Sequence, residues 1–133
     1  MSEPMNVQTF HAACALILGK LYENFPRPIV LKLDELAQRR DDETAAQWDD
    51  RLATYVATTA FLVEEGYMRA GNAVGGGTVI AKAVLTSKGL AALQRVPDPQ
   101  AMSAAATVGS LLLETLREGT IEALRALVGA IFV

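Results

Sequence analysis

Residues 61–69 read Phe61-Leu62-Val63-Glu64-Glu65-Gly66-Tyr67-Met68-Arg69, and the apolar pattern changes its period inside this stretch. Upstream, Trp48, Leu52, Val56, Thr59 and Leu62 recur at helical spacing, while Asp49, Asp50, Arg51, Thr54 and Thr58 fall off that stripe. This predicts a helix from about Thr44 to Glu65. Gly66 sits where a glycine just past a helix end is favoured, because it adopts left-handed backbone at no steric cost. Downstream the chain turns extended, through Tyr67-Met68-Arg69 and then Thr78-Val79-Ile80-Ala81-Lys82-Ala83-Val84-Leu85. Two β-rich runs around Gly75-Gly76-Gly77 predict a hairpin with a long flexible tip.

Working toward the N-terminus, Phe10, Ala13, Cys14, Ile17, Leu18, Leu21 and Tyr22 form the apolar face of a helix over about Asn6–Asn24, which Pro26 and Pro28 end. Ile29-Val30-Leu31 is a short strand, and Leu33-Asp34-Glu35-Leu36-Ala37 a compact helix. The charged run Arg39–Glu43 has no apolar anchor and reads as an exposed turn. Toward the C-terminus, Thr86 or Ser87 caps a short helix reaching about Arg95, and Val96-Pro97-Asp98-Pro99 is a stiff break. Two further helices are predicted, over about Ala101–Arg117 and Thr120–Phe132. The second lines up Ile121, Leu124, Leu127, Val128 and Ile131 on one face. These helices pack on the body of the chain, pair with a second copy or lie on a membrane surface, the last disfavoured by the few Lys and Arg on their polar face.

Helix, strand, helix, turn, longer helix, glycine-tipped hairpin and short helix is an order that resembles the winged helix-turn-helix of bacterial regulators. The stretch Phe61–Arg69 looks like the end of a recognition helix running into the first wing strand. Leu85-Thr86-Ser87-Lys88-Gly89-Leu90-Ala91-Ala92-Leu93 is similar to the L-T-x-K-G turn by which many of those regulators leave the wing. The resemblance covers Asn6 to Arg95. It implies a mainly α, α+β fold, with a winged-helix domain over 1–96 and a helical extension over 97–133 for dimerisation or packing. Leu62 and Leu85 would then plug the core on either side of the wing.

In the DNA-binding version of that fold the Thr44–Glu65 helix enters the major groove and the wing contacts phosphates. Gln47, Arg51, Thr54 and Thr58 are the helix residues suited to base or phosphate contact, and Arg69, Lys82 and Lys88 the wing residues. Charge divides the two elements. Tyr67–Val96 holds Arg69, Lys82, Lys88 and Arg95 with no acid, a net +4. Thr44–Gly66 sets Arg51 against Asp49, Asp50, Glu64 and Glu65, a net −3, which a duplex repels. Two functions are therefore carried forward: a transcription regulator binding double-stranded DNA, and a winged-helix protein-interaction module that does not, in which the acidic helix face or the C-terminal helices bind a partner. A homodimer through the C-terminal helices is expected in either case.

Composition limits the rest. With 133 residues, 51% hydrophobic and 20% charged, the chain is long and apolar enough for a folded core. A single Cys forms no internal disulfide, and Cys14 with His11 supplies half of a structural zinc site, so no metal or other cofactor is expected. Catalysis is not expected either. The His11/Cys14 pair lacks a third, orienting group. Gly75-Gly76-Gly77 is followed by a β-rich run instead of a helix opened by Lys-Ser/Thr. Asp49-Asp50 and Glu64-Glu65 are adjacent, hence splayed around a helix. No secretory signal is recognisable, and the longest uncharged run, Pro99–Leu113, is 15 residues, short of a membrane span. A cytoplasmic protein is the expectation.

Overall fold

The computed structural model describes residues 4–95, 112, 113, 116 and 121–132. The helix predicted over about Ala101–Arg117 lies almost wholly outside the described residues. The chain forms α1 (Met5–Asn24), β1 (Ile29–Lys32), α2 (Leu33–Ala37), α3 (Ala45–Glu64), β2 (Met68–Arg69), β3 (Ala73–Val74), β4 (Val79–Leu85), α4 (Ser87–Leu93) and α5 (Ile121–Ile131). This is a helical protein with one small antiparallel sheet, an α+β architecture.

Local chemistry sets the boundaries. Thr44 opens α3 with a capping box, its Oγ1 accepting from Gln47 N at 3.1 Å while Gln47 Oε1 accepts from Thr44 N at 2.9 Å. At the far end of the wing Thr86 caps α4, accepting from Gly89 N at 3.0 Å and donating to Gly66 O at 2.5 Å. One hydroxyl thus ties the start of α4 to the residue that leaves α3. Gly66 is left-handed, at φ 84, as its position predicts.

β4 is the centre of the sheet, pairing with β1 on one side and with β2 and then β3 along the other. Its register against β1 slips by one residue between Ile29↔Ala83 and Leu31↔Ile80. Lys82 lies within this bulge at φ 52, a left-handed conformation unusual for a lysine.

The glycine tip differs from expectation. Gly75, Gly76 and Gly77 all take positive φ in a closed turn, in which Thr78 Oγ1 donates to Gly75 O at 2.7 Å. A Cβ on Gly77 would come within 2.9 Å of Val56 Cγ1. The tip is therefore packed against α3 instead of extending as a long flexible loop.

Ala13, Cys14, Ile17, Leu18 and Leu21 of α1 occupy the centre of the core, with Leu31, Leu33, Leu62, Met68, Leu85 and Leu93 around them. Leu112, Leu127, Val128 and Ile131 belong to the same cluster. Of the uses open to the C-terminal helices, α5 makes the first, lying on α1. Phe132 follows it into an aromatic group with Phe10, Phe61 and Tyr67, at centroid distances of 6.0, 6.0 and 5.1 Å.

Candidate functional site

The residues expected to contact a ligand from α3 are mostly engaged within the chain. Arg51 donates from Nε to Glu43 Oε2 at 2.7 Å and from Nη2 to Oε1 at 3.1 Å, and also from Nη1 to Ala37 O and from Nη2 to Gln38 O, each at 2.8 Å. The guanidinium also lies over the Trp48 ring, 5.2 Å from its centroid. It clamps the end of α2, the intervening turn and α3 together, which corrects the expectation that it is presented for base reading. Glu43 is correspondingly not an exposed turn residue. Its side chain is 7% exposed, and the Arg51 hydrogen bonds, aided by one from Arg40 N, hold its carboxyl down to about 2 from an ordinary 4.5.

The threonines bond their own helix. Thr54 Oγ1 donates to Asp50 O at 3.1 Å and Thr58 Oγ1 to Thr54 O at 2.7 Å, and Thr58 is only 2% exposed. Thr58 therefore cannot reach a duplex outside the protein. Gln47 is exposed, but its side-chain oxygen closes the capping box.

The wing cations divide two and two. Lys88 Nζ donates to Glu65 O at 2.7 Å and sits 4.4 Å from the centroid of the Tyr67 ring, neutralising the carboxyl end of α3. Arg95 makes the equivalent contact at the end of α5, donating to Ala130 O at 3.2 Å and to Ile131 O at 3.4 Å. Arg69 and Lys82 are exposed on β2 and at the β4 bulge.

What α3 does present is a different set. Asp49, Asp50, Ala53, Ala57, Ala60, Phe61 and Glu64 are its exposed side, free of Lys and Arg. Beside them a groove of about 750 Å³ runs between α3 and α1, lined by Val7, Phe10, Ala53, Ala57 and Phe61 among others. Phe61 is 40% exposed, with its ring edge-on to Phe10 at 5.4 Å. Sequence reasoning marked the acids of this side but passed over Ala53, Ala57 and Phe61, because alanine carries no chemical signature and Phe61 reads as one more apolar residue near a helix end. A second cavity, about 580 Å³, lies at the start of α3 and has a mixed polar lining that includes Gln8, Asp42, Asp50 and Tyr55.

Cys14 is buried, and burial pushes its thiol well above the ordinary value, away from the reactive thiolate. Among the described residues no group of three or more His, Cys, Asp or Glu is placed to hold a metal ion, and no helix is long and apolar enough to cross a membrane. Compared with protein-family models, curated proteins and solved structures, the chain matches none.

Proposed function

We propose that the chain is a winged helix-turn-helix domain that binds another protein, with α3 as the binding element and the β2–β4 hairpin as the wing. The fold reading is supported by the element order and by the sheet order β1-β4-β2, in which the hairpin returns to pair beside the strand between α1 and α2. The observation that carries the function is the exposed side of α3. Asp49, Asp50 and Glu64 border an alanine surface with an accessible phenylalanine, and none of the described residues lining the groove beside it is Lys or Arg. Aromatic and small apolar surface with an acidic border suits a protein ligand, whereas polyphosphate repels it.

A second reading, a DNA-binding transcription regulator, is favoured by one observation: Arg69 and Lys82 remain exposed on the wing. Contact would then be with phosphate, steep in salt and weak in sequence preference. The expected homodimer belongs to the proposal as well, since Ala126 and Gly129 on the exposed side of α5 are small enough for a second helix to approach closely. A solution mass equal to one chain would remove that part.

A photo-crosslinker placed in the full chain at Ala57, and separately at Arg69, separates the readings inside the source cells. Protein adducts at Ala57 are the expected result. Nucleic-acid adducts at position 69 with nothing at 57, together with duplex binding that Arg69→Glu and Lys82→Glu abolish, would replace this proposal with the DNA-binding one.

A further inference from the structure

The geometry points to the groove between α1 and α3 as the seat for a single amphipathic helix of a protein partner, one that carries Lys or Arg beside its apolar stripe. This deepens the protein-binding reading and rests on it. The shape argues for a helix. Ala53 and Ala57 leave a trough where larger side chains would fill it, and the stretch from Asp50 to Phe61 runs three turns, about 16 Å at the usual rise per residue. The floor is prepared: Phe61 and Phe10 meet edge to face, and Phe132, just past the end of α5, backs both rings. An apolar anchor entering here meets aromatic surface already held in place, which lowers the ordering cost of binding.

Charge selects the partner. Asp49 and Asp50 stand at one end of the exposed side of α3 and Glu64 at the other, and no Lys or Arg lines the groove. A second copy offering its own α3 would set carboxylates against carboxylates in either direction, a repulsive arrangement. A cationic flank answers all three acids at once.

The test titrates the full chain with a synthetic peptide of about 18 residues, Leu at helical spacing and Lys elsewhere, enough for five turns. Two control peptides carry Glu in place of Lys, or the same composition with the spacing shuffled. Expected is saturable one-to-one binding of the first peptide alone. Ala57→Arg, and separately Asp50→Lys with Glu64→Lys, should weaken it by about tenfold or more, and Arg69→Glu should leave it unchanged. Position 57 is exposed and arginine is a good helix former, so retained far-UV circular dichroism checks that Ala57→Arg still folds. The inference is overturned if no peptide saturates at low salt, if the shuffled peptide binds as well, or if Ala57→Arg changes nothing. A dimeric chain that Ala57→Arg splits into monomers overturns it as well, giving the groove to a second copy. Protein adducts at Ala57 without peptide binding would refute the basic-helix chemistry and leave the protein-binding reading standing.

Discussion

Arg51 and Glu43 face each other across the turn between α2 and α3 as a two-pronged pair, at 2.7 and 3.1 Å, with side chains 12% and 7% exposed. The turn owes its shape to this contact, because the same guanidinium also satisfies the carbonyls of Ala37 and Gln38. A planar fork is needed to serve four acceptors lying in different directions. Arg51→Lys keeps the charge but gives one ammonium with no fork, and should cost about 2 kcal/mol in urea unfolding at neutral pH. A loss within 0.3 kcal/mol or so, the level of an ordinary surface change, would mean that the clamp does not hold the turn.

The same pair makes stability depend on pH. Glu43 titrates at about 2 in the folded chain against 4.5 ordinarily, so the folded state binds its proton less readily than the unfolded state does. The stabilisation it contributes is complete above about pH 4.5 and is lost as pH falls toward 2. The gap in urea midpoint between the native chain and Glu43→Gln should be constant from pH 7 to 5 and close steadily below that range. A gap that stays constant down to pH 2.5 would show that the carboxylate is not held by Arg51.

Much of the fold was legible because its signals are local. A change of apolar period around Gly66, a threonine three residues before Gln47 and another three before Gly89 each fix a boundary within their own turn of chain. The site was less legible because its determinants are not local. Arg51 lies eight residues from Glu43 with a turn between them, so its sequence neighbours show a lone cation on an acidic helix. Lys88 reaches back 23 residues to Glu65, and Arg95 reaches forward 35 to Ala130. Positive charge counted along the wing was therefore partly charge already committed to helix ends.

Two glycines in helices should respond oppositely to alanine. A Cβ on Gly89 would fall onto the carbonyl of Tyr67, backbone that is fixed by its pairing beside Thr86, whereas around Gly129 nothing lies within 4 Å. Gly89→Ala should then destabilise by about 3 kcal/mol or prevent folding, as overpacking against backbone does. Gly129→Ala should stabilise by about 0.5–1 kcal/mol through helix propensity. Thermal melts of both variants check the contrast, and equal effects would contradict the close approach of α4 to the Tyr67 carbonyl.

Thr86 makes a separable prediction. It caps α4 and also donates to the Gly66 carbonyl, 20 residues back, so Thr86→Ala loses a cap and an inter-element bond together. The expected cost is about 2 kcal/mol, at the upper end for caps, with Thr86→Ser restoring most of it because the hydroxyl alone makes both bonds. If serine fails to rescue, the methyl group and not the hydroxyl carries the effect.

Phe132 decides whether residues 121–132 fold as part of the body. Its ring meets Phe10 of α1, Phe61 of α3 and Tyr67 of the β2 approach at 5.1–6.0 Å, and Leu127, Val128 and Ile131 are buried in the core cluster that holds α1. Contacts of this kind couple an element to the cooperative unit it touches, so removing one partner lowers the opening free energy of all of them. Phe132 is half-buried, and Phe132→Ala should therefore cost about 2 kcal/mol, less than a fully buried phenylalanine. Native-state hydrogen exchange is the discriminating readout. Amides of α1 around Ala13–Leu18 should lose protection in step with those of α5, under one unfolding transition. Faster exchange confined to α5, with α1 as protected as before, would make the C-terminal helix a separate unit resting on the domain without stabilising it.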